Sequence, residues 1–431
     1  MAFDFPASPT NGQVFTSGGV SYVWNGQGWV QQGAPGSVDK TYVDTADALK
    51  VAKAGDTMSG ALVLPADPTL ALQAAPKQYV DAVRAYAAPF DALAYNGLQI
   101  NGSMDVSQER GAAAFALSNG GAHVVVDGWW MQYNHVPATA AVQAGQIMAG
   151  PTGFPNSIFM QSTVGGNIGS SANDIAHILQ SCEGYRVARL SWGAADAVPI
   201  TVGFWVWPSI TGTLSVSARN GTRSYVTDVA LSVASGWQYK TVTIPGDTAG
   251  TWAKNNALGI TVGFSSRCGT NWQQATGSWQ AGNKFCSPTA TNFFATSGNT
   301  IYITGVAVLP GTQAPIAAQS PLIMRPYDQE LQLARRYYYK MVTGNYVYAE
   351  FYGVTGTYFN WSQQHPVQMR AAPTGAIIGS WNTINTGVPV IGAVSNEHVV
   401  LQSVVSVAGP ARCYFQNAAD GLSGLTMDAR L

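Results

Sequence analysis

Between residues 101 and 326 apolar and polar positions alternate in short runs, at 198–207, 213–218, 237–244, 258–264 and 301–308, each bounded by Gly, Asn, Ser or Pro. Successive side chains of a strand point to opposite faces, so this alternation predicts half-buried strands. Many such runs joined by turn residues predict two packed antiparallel sheets, a sandwich, rather than a parallel α/β sheet. Trp205, Trp207 and Trp237 lie inside these runs, and at least one of the first two is expected to face the core.

The rest of the chain follows other patterns. In residues 1–35, Val14-Phe15, Tyr22-Val23-Trp24 and Trp29-Val30 are short β-rich runs broken by Gly18-Gly19 and Asn25-Gly26. They predict a small meander that buries too little surface to stand without a partner. In residues 36–100, Lys40-Thr41-Tyr42-Val43-Asp44 recurs as Lys77-Gln78-Tyr79-Val80-Asp81, each within a short segment of helical spacing. Tyr79, Val83, Tyr86 and Phe90 form a narrow stripe, and Tyr42, Val43 and Leu49 belong to the first copy. Helices this short are marginal alone, so the stripes predict symmetric association between copies of the chain, as short coiled coils. Residues 326–340 carry helix chemistry and residues 341–431 return to short strands.

Composition narrows the function classes. Only 10 % of the 431 residues are charged, against about 25 % in an average soluble domain. Hydrophobic residues make up an ordinary 46 %, so Gly, Ser, Thr, Asn and Gln have replaced the charge. A net charge of −1 with no basic block argues against nucleic acid as a partner. No apolar run is long enough to span a bilayer, and the opening residues lack the pattern of a secretory signal, so synthesis in the cytoplasm without membrane insertion is expected. Cys182, Cys268, Cys286 and Cys413 are too scattered for a disulfide framework, and buried free thiols are expected; only Cys268 and Cys286 share a loop in which they could pair. No metal-ligand spacing appears, and neither a metal nor a cofactor is implied. His123, His135, His177, His365 and His398 are isolated and read as structural or surface residues.

Glycoside hydrolysis normally needs two carboxylates across a cleft, yet no Asp or Glu occurs between Asp247 and Asp328. That stretch instead pairs indoles with amides and hydroxyls: Thr251-Trp252, Asn271-Trp272-Gln273-Gln274 and Ser278-Trp279-Gln280. A sugar presents an apolar C–H face and a rim of hydroxyls, which an aromatic platform beside amides matches. The candidate ligand-binding residues are therefore Trp252, Trp272, Gln273, Gln274, Trp279 and Gln280, with Trp272 and Trp279 as platforms in a Gly-rich loop. No catalytic residue is proposed.

Gly55-Asp56-Thr57-Met58-Ser59-Gly60-Ala61-Leu62-Val63-Leu64 followed by Lys77-Gln78-Tyr79-Val80-Asp81 resembles the shaft repeat of bacteriophage tail fibres. The span after it resembles the jelly-roll, carbohydrate-binding-module-like domain of many phage tail proteins. That likeness rests on Asn96-Gly97-Leu98-Gln99-Ile100-Asn101-Gly102-Ser103-Met104, Asp127-Gly128-Trp129, Trp237-Gln238-Tyr239, Arg325-Pro326-Tyr327-Asp328-Gln329-Glu330-Leu331 and Arg335-Arg336-Tyr337-Tyr338-Tyr339. His365-Pro366-Val367-Gln368-Met369-Arg370 through Pro373-Thr374 resembles the element that follows the tyrosine run in those fibres. One departure is the last strand, where Val306-Ala307-Val308 stands in place of the family's Gln-x-Glu.

The resemblance implies a mainly β, homotrimeric tail fibre or receptor-binding protein of the virion. Its parts would be a tail-attachment meander (1–35), a helical and β shaft (36–100), a jelly roll (101–325), a linking helix (326–340) and a C-terminal β domain (341–431). Its partners would be itself, a tail or baseplate protein at the N-terminus, and a host surface glycan or outer-membrane receptor, engaged outside the host cell. The alternatives are a tailspike-like depolymerase of host polysaccharide and a purely structural baseplate or collar component.

Overall fold

The computed structural model describes residues 4–32, 97–341, 347–415 and 424–431. The shaft residues Tyr42, Val43, Leu49, Tyr79, Val83, Tyr86 and Phe90 lie outside the described residues. By contacts the chain divides into two units, Met1–Arg84 and Ala85–Leu431.

The first unit contains the meander: β1 (Val14–Ser17), β2 (Val20–Trp24) and β3 (Trp29–Gln31), antiparallel in that order. None of its described residues is fully buried. Aromatic contact replaces a core: Phe5 stacks on Trp29 (5.3 Å between centroids, 14° between planes) and also meets Phe15 and Tyr22.

In the second unit, thirteen strands form a sandwich. They are β4 (Phe115–Ala116), β5 (Gly121–Val126), β6 (Trp129–Asn134), β7 (Ala141–Ile147), β8 (Ser157–Val164), β9 (Ile175–Glu183) and β10 (Ile200–Pro208), followed by β11 (Gly212–Arg219), β12 (Arg223–Leu231), β13 (Gln238–Ile244), β14 (Leu258–Ser265), β15 (Trp279–Ala281) and β16 (Thr300–Pro310). One sheet has the order β13-β10-β16-β8-β7-β4 and the other β15-β12-β11-β14-β9-β6-β5. Their facing sides carry the core. Ile200, Val202, Phe204 and Val206 of β10 and Ile260, Val262 and Phe264 of β14 are at most 1 % exposed. Phe204 meets Phe264 at 4.6 Å.

Parity corrects one expectation. Trp205 and Trp207 are two residues apart and therefore share a face; because Phe204 and Val206 fill the core, both tryptophans point outward. Trp205 is then held by the turn Ala317–Ile323, donating from Nε1 to Ser320 Oγ at 2.9 Å.

Three of the segments named above, within 97–104, 127–129 and 325–331, meet at one end of the sandwich. Trp129 is fully buried, and its Nε1 donates to the Ile100 and Asn101 carbonyls (3.1 and 3.0 Å). Gln180 accepts from Ile100 N and donates to Ile100 O (2.9 and 2.6 Å). The Asn101 side chain donates to Val106 O and Asp127 O. Arg325 donates to Gly97 O and Gln99 O (2.7 and 2.9 Å), and its charge is matched by Glu330, which also accepts from Asn101 N. These groups are buried, so each donor and acceptor needs its partner. Burial pushes the Asp127 carboxyl up to about 6, against the hydrogen bonds from Gln108 that lower it.

Helix α1 (Tyr327–Arg335) is shorter than the expected 326–340 segment, because the tyrosine run leaves the helix for strand β17 (Tyr338–Met341). The strands after β17 are β18 (Val347–Gly353), β19 (Tyr358–Gln364), β20 (Thr374–Ile378), β21 (Asn382–Ile384), β22 (Val390–Val394), β23 (His398–Val404), β24 (Gly409–Phe415) and β25 (Gly424–Asp428). They form three three-stranded sheets, β17-β25-β20, β18-β24-β21 and β19-β23-β22, around Tyr339, Met369, Leu401, Leu425 and Met427. This body is tied to the sandwich by Arg336 against Glu183 (3.1 Å) and by Arg370, which donates to Asn256 O and Ala429 O.

Removing the Glu330 carboxylate strands a buried guanidinium. Glu330→Ala is expected to cost about 3–5 kcal/mol, seen as a large fall in thermal midpoint. Glu330→Gln, which keeps an acceptor for Asn101 N–H, should fall less. Equal midpoints for both variants and the parent would contradict this role.

Candidate functional site

The outer face of the seven-stranded sheet is partly covered by the chain between β14 and β16 on either side of β15, through residues such as Trp272, Phe285, Ser287 and Thr289. Beneath this cover the sheet presents polar side chains, most of them paired locally, although Ser217 Oγ and Arg219 Nε are buried without a hydrogen-bond partner. Asp228 accepts from Ser215, Ser287 and Thr289 at 2.6–2.7 Å. Arg219 donates from Nη2 to His177 Nε2 at 3.1 Å, which leaves Nδ1–H to donate to Ser265 Oγ at 2.6 Å; Ser265 in turn donates to Phe285 O. His177 lies over Gly263, where a methyl group would collide with the imidazole.

This buried network holds a column of rings. His177 stacks on Phe285 (4.4 Å, 23°), Phe285 stacks on Trp272 (5.3 Å, 23°), and the Arg219 guanidinium lies 4.9 Å from the Phe285 centroid. Trp272 occupies a single 3-10 turn (Thr270–Trp272), and its carbonyl accepts from Phe285 N and Cys286 N. Its indole is thus fixed on one side by the column.

Trp272 also lines an open groove of about 370 Å³. The other walls are Gly120, Gly121 and Ala122 at the start of edge strand β5, Gln132, Tyr133 and Asn134 of β6, and Asn173 and Ile175 at the start of β9. No charged side chain lines it. Asn134 Nδ2 donates to Asn173 O, and Asn271 Nδ2 donates to Asn173 Oδ1 (both 2.7 Å), which orients these amides and leaves Asn134 Oδ1 and Asn173 Nδ2 available. Gln132 makes no side-chain hydrogen bond to the described residues, and Tyr133 is committed to Ala140 O. An apolar ring face beside free amide donors and acceptors suits a polyhydroxylated ring.

The other predicted ligand residues do not share this groove. Trp252 is 5 % exposed and packs edge-on against Trp192 (4.7 Å) and Trp279 (5.5 Å). Trp279 was expected in a loop; it lies in edge strand β15, opposite Tyr225 of β12, and donates to Pro245 O. These two indoles, with Trp192, build the opposite edge of the sheet. Gln273 and Gln280 bind backbone carbonyls of their own loop, at Cys268 and Ala275, and Gln274 is buried with its Nε2 on Ser224 O. The groove residues that sequence reasoning missed, Gln132, Asn134, Asn173 and Ile175, come from a span with few motifs.

All four cysteines are free and buried. Cys268 and Cys286 both donate to Ser266 O at 3.4 Å, and burial beside Cys286 pushes the Cys268 thiol well up. Among the described residues no group of three His, Cys, Asp or Glu is placed to hold a metal.

No protein-family model and no curated protein matches the chain. Solved structures with similarity include an enzymatically active domain of bacteriophage CBA120 tailspike protein 4, at 11 % identity and TM-score 0.25, over 50 % of this chain and 22 % of that one. A family 11 carbohydrate-binding module from Clostridium thermocellum, in complex with a mixed-linked tetrasaccharide, aligns at 10 % identity and TM-score 0.24, over 47 % of this chain and 99 % of its own. A CBM4 structure aligns at 14 % identity and TM-score 0.26, over 49 % and 97 %. Likeness of this size carries no inference about this chain.

The stack under Trp272 is pH-sensitive in a defined direction. Burial, together with Arg219, holds His177 well below the ordinary histidine range. Below about pH 6.5 the unfolded chain therefore binds the proton that the folded chain refuses, and stability falls with pH. His177→Gln, which can accept from Arg219 and donate to Ser265, should show a shallower loss of thermal midpoint between pH 7 and 5 than the parent. Parallel curves would contradict this.

Proposed function

We propose that this protein is a non-catalytic, glycan-binding attachment protein of a bacteriophage virion. It is a tail-fibre chain that works as a homotrimer outside the host cell, with residues 1–35 joined to a tail or baseplate protein. The observation that carries the binding reading is Trp272, an indole fixed from behind by Phe285 and His177 and lining an uncharged groove edged by Gln132, Asn134 and Asn173. Stacking of a sugar face on the indole supplies affinity, and the amides read the hydroxyl rim. The shaft motifs 55–64 and 77–81 support the fibre reading. Three copies per fibre turn weak single contacts into avidity. The groove has no carboxylate to act as acid, base or nucleophile.

Incubation of the full chain with host surface polysaccharide tests this reading. The intact polymer should be bound, and Trp272→Ala should weaken binding about tenfold or more, the scale of a buried aromatic anchor, without lowering the thermal midpoint by more than a few degrees. Release of reducing ends or unsaturated sugars would replace this reading with a depolymerase. The mass of the full chain in solution tests the trimer separately: three chains are expected, and a monomer at micromolar concentration would contradict it.

A further inference from the structure

The outer face of the six-stranded sheet carries aromatic side chains that neither the core nor the Trp272 groove uses. Trp207 of β10 lies opposite Tyr302 of β16, and Tyr302 lies opposite Phe159 of β8. Trp237, one residue before β13, extends the same row. Ring centroids are 4.9 Å apart for Trp207 and Tyr302, 6.3 Å for Trp237 and Tyr302, and 6.1 Å for Phe159 and Tyr302. The row crosses four adjacent strands, or three spacings of about 4.8 Å, roughly 14 Å.

Two residues further along the same strands runs a parallel polar row. Thr300 lies opposite Gln161, and Gln161 opposite Gln143. Gln143 Nε2 donates to Gln161 Oε1 at 2.6 Å and Gln161 Nε2 donates to Thr300 Oγ1 at 2.8 Å, so the amides are oriented before any ligand arrives. Neither row contains a charged residue.

Packing does not require these rings. The inward positions of the same strands, Phe204, Val206, Ile301, Ile303 and Ile158, are at most 2 % exposed and already fill the sandwich. Trp207, Trp237 and Tyr302 all remain partly exposed. Partly exposed aromatic side chains near one end of adjacent strands, in register across them and beside fixed amides, meet both requirements of a glycan: apolar ring faces and a hydroxyl rim.

We infer that this row is a second glycan platform, which takes an extended, neutral glycan lying across the strands over several sugar units. It lies on the opposite sheet from the Trp272 groove, so one chain would hold two separate contacts. The inference takes the ligand class from the glycan-binding reading but does not depend on Trp272.

The test is titration calorimetry of the full chain with neutral gluco-, galacto- and manno-oligosaccharides of one to six units. Trp207→Ala and, separately, Tyr302→Ala should weaken binding of the longer oligomers about tenfold and leave monosaccharide binding unchanged, while Tyr302→Phe keeps parent affinity. Trp272→Ala should do the reverse, lowering monosaccharide binding and sparing the length dependence. The platform is overturned if folded Trp207→Ala and Tyr302→Ala bind every oligomer as the parent does while Trp272→Ala loses all binding. The glycan reading itself, and the platform with it, is overturned if the parent binds none of the series at millimolar concentration.

Discussion

A strand in a two-layer sandwich has two faces and only one core, and most of this molecule follows from what is done with the second face. The inner faces are closed by Phe204, Phe264, Trp129 and their aliphatic neighbours. The outer face of the six-stranded sheet is capped over Trp205 by the turn at Ser320 and carries Trp207 and Tyr302 alongside. The outer face of the seven-stranded sheet is covered across β9, β14, β11 and β12 and opens again beside β5 and β6, at the groove. Function is assigned to the places where outer faces stay partly open.

Covering an outer face has a cost, because polar side chains that would have met water must find partners within the protein. Here most of them pair in two sets, Asp228 with three hydroxyls and Arg219, His177 and Ser265 in series, while Arg219 Nε and Ser217 Oγ stay unpaired. The second set is also the foundation of the site, since it fixes the imidazole on which Phe285 and then Trp272 stack. Rigidity in an aromatic platform reduces the ordering cost of binding. At the far end of the sandwich the same logic holds Arg325 and Glu330 against the 97–101 segment, which joins the sandwich to helix α1 and the C-terminal body.

Period-two patterning made strands legible where one face is buried and the other is not, as in β13 and the 204–207 part of β10. It failed for β9, where nearly every residue is buried by core on one side and by the covering loop on the other, so no alternation remains. It also failed for β15, three residues long. Choosing indoles beside amides included Trp272, which lines the groove. It could not separate that residue from Trp252 and Trp279, whose burial depends on Trp192, a contact that local sequence does not encode. The groove's amides were missed for the same reason: Gln132, Asn134 and Asn173 converge only through the pairing of β5, β6 and β9. Trp205 and Trp207, two apart on one strand, share a face, but which face is set by Phe204 and Val206 filling the core, and the alternation alone fits either choice.

The low charge of the sequence acquires a physical reading from these surfaces. Both open outer-face regions are lined by rings, amides and hydroxyls, and the Asp228 carboxylate beneath the covering layer is tied up in hydrogen bonds. The most direct test is a crystal structure of the full chain with an oligosaccharide prepared from a host polysaccharide that it binds. The account predicts an uncleaved sugar with one ring face parallel to the indole of Trp272 and its hydroxyls on Asn134, Asn173 or Gln132. A sugar bound elsewhere with the groove empty, or a cleaved product held between carboxylates, would contradict it.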